Sequence, residues 1–331
     1  MVGDTLEASC PVCRKKVSAD VLLWSGDICY KLPGEFAVAR CEICGLVISY
    51  PEMSGAELSA YYPSDYYGDV PKVREPENRQ ALERLAKKLY RQLKRGKQMN
   101  RAALTHAPSA FDLALPVEKE SGKLLDVGAG WGRFLSGAMG MGWQVEGVDF
   151  SPEIHRVGEA LGIPVYQGAL EDVCAKLSGD YQMISMNHVL EHLDRPLETL
   201  EVARSLLSPG GVVRIQIPLW RPFFVRCFGK YWFPLDLPRH RWHFRIQDVR
   251  VLAKLAGFDR VMVLPETGTH PWQSSLRIWL RDHPKLSRWQ RFASVDNRLL
   301  RALLFPMGWY LAAVRRPMEA TFYLMSEGSN E

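Results

Sequence analysis

The chain has 331 residues, of which 47% are hydrophobic and 24% are charged, and its formal net charge is +5. This composition predicts an ordinary soluble globular protein of one large domain with attachments or of two domains, and so small a charge selects no class of partner by itself. The N-terminus has no basic region followed by an apolar core, and no apolar run reaches about 18 residues, so we expect neither a signal peptide nor a membrane span. The default location is therefore cytoplasmic.

Four of the seven cysteines form two C-x-x-C pairs, Cys10 with Cys13 and Cys41 with Cys44. Each pair can present two thiolates from one turn, and two such turns complete a tetrahedral site of four sulfurs that suits Zn²⁺. We therefore predict a zinc-ribbon domain over residues 1–70. Two unrelated turns or a redox pair remain as alternatives, although no βαβ pattern follows either pair to favour redox chemistry.

A charged, proline-marked segment follows the ribbon and leads into a helix predicted over residues 77–99, where apolar residues recur at helical spacing. The other face of this helix is basic. Residues 71–118 are therefore expected to form a basic amphipathic helical linker. In one interpretation, the apolar stripe of this helix docks on the next domain and the basic face is solvated. In the other, the basic face contacts an anionic substrate or a membrane surface.

From residue 123 onward, strand-like and helix-like segments alternate. The segments KLLDVG, QVEGVDF, PVYQG, YQMISMNHV and VVRIQIP predict five strands. Alternation at this pitch predicts an α/β fold with a Rossmann-like doubly wound parallel sheet, which binds ligands at the carboxyl ends of its strands. This domain is expected to span residues 119–331.

The first of these strands runs into LLDVGAGWGRFL, where Gly128, Gly130 and Gly132 give the spacing G-x-G-x-G. A dinucleotide fingerprint has the spacing G-x-G-x-x-G instead. Asp126 would oppose a pyrophosphate but suits the cationic methionine end of a sulfonium cofactor. Asp149 ends the second strand, where an acid accepts hydrogen bonds from ribose hydroxyls. Together the glycine turn and the acid count against a simple tight turn, and the spacing and Asp126 are the features that bear on the choice between a dinucleotide and S-adenosylmethionine.

Four segments, LLDVGAGWGRFL, VEGVDFSPE, ISMNHVLEHLDRP and LLSPGGVVRIQIP, resemble in this order the successive motifs of class I S-adenosylmethionine-dependent methyltransferases. The resemblance covers residues 124–218. The N-terminal cysteine ribbon and the later WFPLDLPRHRWHF further resemble a subgroup, type 11/23-like, whose members carry a zinc-ribbon head. Many members of that subgroup belong to glycan, lipid or secondary-metabolite pathways.

The resemblance implies a cofactor site at the carboxyl edge of the sheet. The methionine moiety is expected at Asp126 and the glycine turn, the ribose at Asp149, and the adenine beside the segment YQGALEDV. Many relatives have a polar residue to meet the adenine amino group where this chain has Ala169, so Leu170 and backbone groups are expected to flank the ring. The implied cofactor-binding residues are Asp126, Gly128, Ala129, Gly130, Gly132, Asp149, Phe150, Ala169, Leu170, Asn187 and His188.

The fourth strand ends in NHVLEHL, which implies that Asn187 and His188 lie near the transferable methyl group. The D/N-P-P-Y/F turn of exocyclic-amine methylases and the Pro-Cys or Ser-Cys nucleophile of pyrimidine methylases do not occur there, which counts against DNA and RNA base methylation. Transfer to a weakly acidic hydroxyl needs a base, and a histidine tuned near neutral pH suits this role. The predicted catalytic residues are His188 and His240, with packing or hydrogen bonding as the alternative role for each.

Two insertions interrupt the methyltransferase motifs. Residues 219–247 are aromatic and basic, and we expect a lid over the acceptor with Arg221, Arg239 and Arg241 available to an anionic group. A place in the core is the alternative. Residues 272–316 are predicted to be a basic helical insertion, which packs on the sheet edge or a second subunit, or meets a membrane surface. The segment EATFYLMSE is expected to be the last strand.

The sequence thus predicts a methyltransferase for a small-molecule or carrier-linked acceptor, such as a sugar hydroxyl, with S-adenosylmethionine and Zn²⁺ as cofactors. The alternative is an RNA-modifying methyltransferase or a zinc-ribbon nucleic-acid-binding protein, and the weakly basic ribbon counts against it. Peripheral membrane contact through the basic C-terminal region stays open beside a purely cytoplasmic location.

Overall fold

The computed structural model describes residues 5–63, 122–289, 292–293, 297–314 and 316–326. The predicted linker over residues 71–118, including its helix, lies outside these residues. Within the described residues the strands form two sheets, one of five strands and one of seven.

The five-stranded sheet is antiparallel, in the order β1-β2-β3-β4-β10. Its strands are β1 (Thr5–Cys10), β2 (Lys15–Ser25), β3 (Phe36–Cys41), β4 (Val47–Tyr50) and β10 (Trp242–His243). The first four residues of β3 are all buried, which shows that both faces of this central strand are covered. A short helix, α1 (Gly55–Ser59), follows β4 and begins at a capping box between Ser54 and Glu57.

The seven-stranded sheet has the order β11-β12-β9-β8-β5-β6-β7. Its strands are β5 (Lys123–Val127), β6 (Gln144–Asp149), β7 (Val165–Gln167), β8 (Tyr181–Asn187), β9 (Leu207–Pro218), β11 (Arg260–Pro265) and β12 (Glu319–Met325). The strand pairs β7–β6, β6–β5, β5–β8 and β8–β9 are parallel. Strand β12 is antiparallel to both of its neighbours, β9 and β11. The predicted α/β fold with a parallel sheet is confirmed. Because β5 lies between β6 and β8, the strand order reverses there and leaves a crevice at their carboxyl ends.

Helices cover both faces of this sheet, as the alternation of side chains along β5 shows. Leu124 packs in one apolar cluster with Leu135 and Ile154, while the next residue, Leu125, packs in another with Leu200 and Leu252. The helices are α2 (Arg133–Gly140), α3 (Ile154–Leu161), α4 (Leu170–Val173), α5 (Pro196–Ser205), α6 (Pro222–Phe228), α7 (Ile246–Leu255), α8 (His270–Arg281) and α9 (Arg298–Ala313).

The insertion over residues 219–247 joins the two sheets. Strand β10 comes from it and pairs with β4, with Trp242 opposite Ile48. Trp232 and Phe244 are buried, so much of the insertion belongs to the core, which was the alternative to a lid. The prediction that Arg239 is available to an anionic group is wrong, because this side chain is fully buried and its guanidinium is bound by two carboxylates of the protein.

The C-terminal helix α9 leaves a row of apolar side chains exposed, including Leu299, Leu303 and Tyr310. It contains Pro306 and is 16 residues long. Among the described helices, none combines the length and the apolar character that a bilayer crossing requires.

Candidate active site

A cavity of about 960 Å³ opens at the carboxyl ends of β5, β6 and β8. Its size falls in the range of ligand sites in proteins, roughly 300–1,000 Å³. The wall on the far side of the crevice comes from the N-terminal part of the chain, through Gly55, Leu58 and Tyr62. The cavity is therefore bounded by the seven-stranded sheet and by the segment of α1 that follows the five-stranded sheet.

The turn after β5 requires glycine for steric reasons. Gly128 and Gly132 have φ values of +69° and +79°, in the left-handed region that other residues rarely adopt. A Cβ on Gly128 would overlap Cγ2 of Val189, and one on Gly132 would lie 2.5 Å from Cγ1 of Val157. The turn thus brings its backbone against the cavity, of which Gly128, Ala129 and Gly130 form one side.

Asp126 is a buried carboxyl at the inner end of the cavity. The hydroxyl of Ser185 donates to its Oδ1 at 2.6 Å, and the amide of Asn187 donates to the same oxygen at 3.3 Å. Burial raises the pKa of Asp126 to about 7, although Ser185 and the nearby Arg214 favour the ionised form. A cation in the cavity would therefore stabilise its carboxylate.

Asp149 ties the glycine turn to the end of β6. Its Oδ2 accepts a hydrogen bond from the Gly130 N–H at 2.8 Å, and its Oδ1 accepts one from the Ser151 N–H at 2.9 Å. The side chain lines the cavity although only 4% of the residue is exposed. A carboxylate oxygen can accept more than one hydrogen bond, which is the chemistry that ribose hydroxyls require.

Apolar groups line the cavity beside β6 and β7. The ring of Phe150 is half exposed in the cavity and lies 5.2 Å from the ring of Tyr62, measured between centroids. Ala169 and Leu170 line the same region. These surfaces suit the faces of a flat ring system.

His188 follows the last residue of β8 and faces the cavity. Its φ is +54°, an uncommon conformation for a residue with a side chain and one that often marks a functional position. The side chain is 45% accessible, and its Nδ1 lies 3.4 Å from Oε1 of the buried Glu191. Desolvation in the crevice lowers the pKa of His188. The negative charges of Glu191 and Glu319 outweigh this effect and hold the pKa above its ordinary value.

His240 lies behind the cavity wall instead. It is buried, its Nδ1 lies 2.9 Å from the carbonyl oxygen of Pro234, and it is not among the residues that line the 960 Å³ cavity. Its Nε2 is 4.0 Å from Oε1 of Glu191. The structure thus brings one of the two predicted histidines to the cavity and places the other in the layer behind it.

Several cavity residues were not predicted from the sequence, among them Arg214 and Tyr62. Arg214 is 1% exposed, donates to Gln216 at 2.8 Å and to Asn187, and its guanidinium lies 5.3 Å from the centroid of the Phe134 ring. The sequence does contain one signal for Arg214, since a charged residue interrupts the apolar strand VVRIQIP. Tyr62 reaches the cavity through tertiary contacts alone, which no local pattern reports.

The four cysteine sulfurs come together at the end of the five-stranded sheet. All four Sγ atoms lie within 4.8 Å of one another, with Cys10 and Cys44 3.6 Å apart and Cys13 and Cys41 3.8 Å apart. Four sulfurs at 2.3 Å from a tetrahedral zinc ion are about 3.8 Å from one another. The donor set and its spacing therefore fit Zn²⁺.

Comparison with known proteins finds the family model "Methyltransferase domain" over residues 79–263. Among curated proteins, the "Ubiquinone biosynthesis O-methyltransferase" of Xanthomonas campestris pv. campestris (strain B100) is 26% identical over 182 residues, which are 51% of this chain and 74% of that protein. The protein of that name from Xanthomonas oryzae pv. oryzae (strain PXO99A) is 25% identical over 193 residues, with 54% and 77% covered. A solved "SAM dependent methyltransferase" from Archaeoglobus fulgidus matches with a TM-score of 0.42 and 17% identity, over 66% of this chain and 94% of that one.

Proposed function

Because the chain belongs to the class I S-adenosylmethionine-dependent methyltransferases, we propose that it methylates a hydroxyl oxygen of a small-molecule or carrier-linked acceptor. The observation that carries the proposal is the position of His188. It is a histidine whose side chain faces the cavity at the carboxyl edge of the sheet, with Glu191 behind it. A hydroxyl is too weakly acidic to react without losing its proton, and a histidine is the side chain best suited to accept one near neutral pH.

The cofactor site of this proposal follows the cavity wall from β5 to β8. The methionine moiety lies beside Asp126 and the glycine turn, the ribose hydroxyls donate to Asp149, and the adenine lies among the apolar groups next to β7. The residues that hold the cofactor are Asp126, Gly128, Ala129, Gly130, Gly132, Asp149, Phe150, Ala169, Leu170, Asn187 and His188. When bound, the sulfonium supplies an electrophilic methyl group.

In the chemical step of this proposal, His188 acts on the acceptor. Glu191 lies beside Nδ1, which leaves Nε2 as the nitrogen that receives the hydroxyl proton while the oxygen bonds to the methyl carbon. The leaving thioether is neutral, so the protein does not need to stabilise a leaving anion. Positioning of the two reactants supplies most of the remaining acceleration.

Two observations support this acceptor class. The Xanthomonas relatives are named as O-methyltransferases of ubiquinone biosynthesis. In addition, the exposed apolar side chains of α9 provide a surface that could meet a bilayer, which favours a carrier-linked acceptor that bears a lipid.

We further propose that Cys10, Cys13, Cys41 and Cys44 bind one Zn²⁺ ion. The support is the spacing of the sulfurs and their position on two turns of one small sheet. This zinc is structural in the proposal, because four protein ligands leave no position for a substrate.

The test of function is methyl transfer from labelled S-adenosylmethionine to a panel of phenols, sugars and amines, with and without lipid vesicles, in wild type, His188→Gln and the control His283→Gln. We expect an O-methyl product, and a loss of about 10²–10⁴ in kcat for His188→Gln, measured at saturating cofactor so that any change in cofactor affinity does not enter kcat. His283 does not line the cavity, so its variant should keep wild-type kcat. Methylation of nitrogen or carbon alone would contradict the hydroxyl acceptor, and undiminished kcat in His188→Gln would contradict its role as the base.

A further inference from the structure

Glu191 is a buried carboxylate, and its contact with His188, 3.4 Å from Oε1 to Nδ1, does not have good hydrogen-bonding geometry. The residue is 1% exposed, and neither carboxylate oxygen has a donor within hydrogen-bonding geometry in the part of the chain that the structure describes. Burial of an ionised carboxylate is costly unless a cation or hydrogen-bond donors compensate its charge. Its surroundings therefore indicate what compensates it.

Two histidines converge on this carboxylate from different parts of the chain. His192 follows directly, while His240 comes from the insertion over residues 219–247. One ligand atom of each of the three side chains lies within 4.8 Å of the others. The rings of the two histidines are 4.6 Å apart between centroids and meet edge to face.

Backbone carbonyls hold both histidines in the tautomer that leaves Nε2 available to a metal ion. Nδ1 of His192 lies 2.9 Å from the carbonyl oxygen of Arg239, and Nδ1 of His240 lies 2.9 Å from that of Pro234. A carbonyl oxygen only accepts, so each Nδ1 carries the hydrogen and a neutral ring keeps the lone pair on Nε2; the Tyr62 hydroxyl oxygen, 3.0 Å from Nδ1 of His192, is then a second acceptor for that hydrogen. Metal-binding histidines typically donate their other N–H to a carbonyl or carboxylate in this way, which orients the ring.

We propose that Glu191, His192 and His240 bind a divalent transition-metal ion in the layer behind the cavity, separate from the four-cysteine site. Two imidazole nitrogens and one carboxylate are borderline donors, which suit Zn²⁺, Co²⁺ or Fe²⁺ better than Mg²⁺ or Ca²⁺. The ion supplies the positive charge that the buried carboxylate needs. It also connects the segment after β8 to the insertion that joins the two sheets.

The site has a direct consequence for the cavity. Glu191 lies 3.4 Å from Nδ1 of His188, and His192 is itself part of the cavity wall. An ion held by Glu191 and His192 fixes the segment that carries His188. These residues are therefore positioning residues, and the metal site does not depend on which acceptor is methylated.

The experiment is a Co²⁺ titration of the full chain after metal removal, followed by absorbance and by metal analysis. Cobalt bound to thiolates gives an intense sulfur-to-cobalt charge-transfer band, whereas cobalt bound to nitrogen and oxygen does not. We expect two equivalents per wild-type chain, only one of which produces this band. Glu191→Gln and His240→Asn should each lose the equivalent without the band and keep the other.

Two controls separate the sites. Cys41→Ser should lose the charge-transfer band and keep the second equivalent. His243→Asn, a buried histidine near the cluster whose Nε2 is 3.1 Å from Ser49 Oγ, should keep both. For wild type loaded with zinc, X-ray absorption at the zinc edge should show an averaged shell that contains sulfur together with nitrogen and oxygen, and Cys41→Ser should lose the sulfur contribution.

A wild-type chain that takes up only sulfur-bound metal would overturn the proposal, whether or not the variants fold. Retention of the second equivalent by both Glu191→Gln and His240→Asn would overturn it as well. Neither result would contradict the proposed methyl transfer, since the titration contains no acceptor and no cofactor.

Discussion

At Asp126, the protonation state of a single buried carboxyl is coupled to the binding of the cofactor. The residue is 2% exposed, and the pKa of about 7 means that the carboxyl is largely neutral in mildly acidic solution. Under the proposed cofactor placement, the cationic methionine end of S-adenosylmethionine lies beside it. The cation favours the ionised form, so binding and deprotonation are linked.

We predict that the affinity for S-adenosylmethionine rises with pH through about 7 and then levels off. The sign follows from the raised pKa: below it, the carboxyl must lose a proton before it pairs with the cation, and above it the proton is already lost. Between pH 6 and pH 8 the gain is about tenfold. Calorimetric titration at the two values measures it, with Asp126→Asn as the control that shares any titration of the cofactor. A gain of equal size in Asp126→Asn would contradict the linkage.

At the scale of the element, two structures hold the cysteine turns. One is the five-stranded sheet, and the other is helix α7, which packs on the seven-stranded sheet. Cys41 ends β3, and the N–H of Gly45 donates to its carbonyl at 2.9 Å. Arg245, at the start of α7, donates to the carbonyl oxygen of Cys44 at 2.6 Å. A metal ion at these turns would therefore brace both the hairpin and its contact with the methyltransferase domain.

We predict that wild type holds one sulfur-bound zinc ion per chain, and that Cys41→Ser loses it with a clear fall in Tm. The reason is that structural zinc sites contribute folding free energy directly. X-ray absorption and thermal unfolding are the measurements. Cys227→Ser is the matched control, because Cys227 is exposed and lies outside the cluster. Unchanged Tm and unchanged zinc–sulfur signal in Cys41→Ser would rule out a structural site.

At the scale of the whole molecule, a buried ion cluster joins the segment between β2 and β3 to the insertion. Arg239 donates from Nη2 to Asp27 at 2.9 Å and to Asp236 at 2.7 Å, and the side chains of Arg239 and Asp27 have no accessible surface. Asp27 belongs to the N-terminal part and Asp236 to the insertion. Arg239 therefore stabilises the arrangement of the two parts rather than binding an acceptor.

We predict that Asp27→Asn lowers the free energy of unfolding by about 3 kcal/mol, since it removes one partner of a buried charge. Urea denaturation measures the change. Asp20→Asn on the same sheet is the control, because the Asp20–Arg40 pair is exposed and such pairs contribute about 0–1 kcal/mol. Equal effects of the two substitutions would mean that the buried cluster does not hold the parts together.

The parts of the fold and site that the sequence predicted are those set by local requirements. The glycine turn is readable because Gly128 and Gly132 need positive φ and close approach, and the β-strands are readable from their apolar patterns. The sequence alone does not distinguish His240 and Arg239 from the accessible residues of a lid. Only the pairing of β10 with β4 places them in a buried layer. The contribution of Tyr62 to the cavity depends on tertiary packing in the same way.

The most direct test of the central claim is calorimetric titration of S-adenosylmethionine into wild type and Asp149→Ala. Asp149 holds the glycine turn and, in the proposal, accepts from the ribose hydroxyls. We predict binding to wild type and a loss of tenfold or more in the variant, which corresponds to about 1.4 kcal/mol or above. Failure of folded wild type to bind, or equal affinity of the two proteins, would contradict a cofactor site in this cavity.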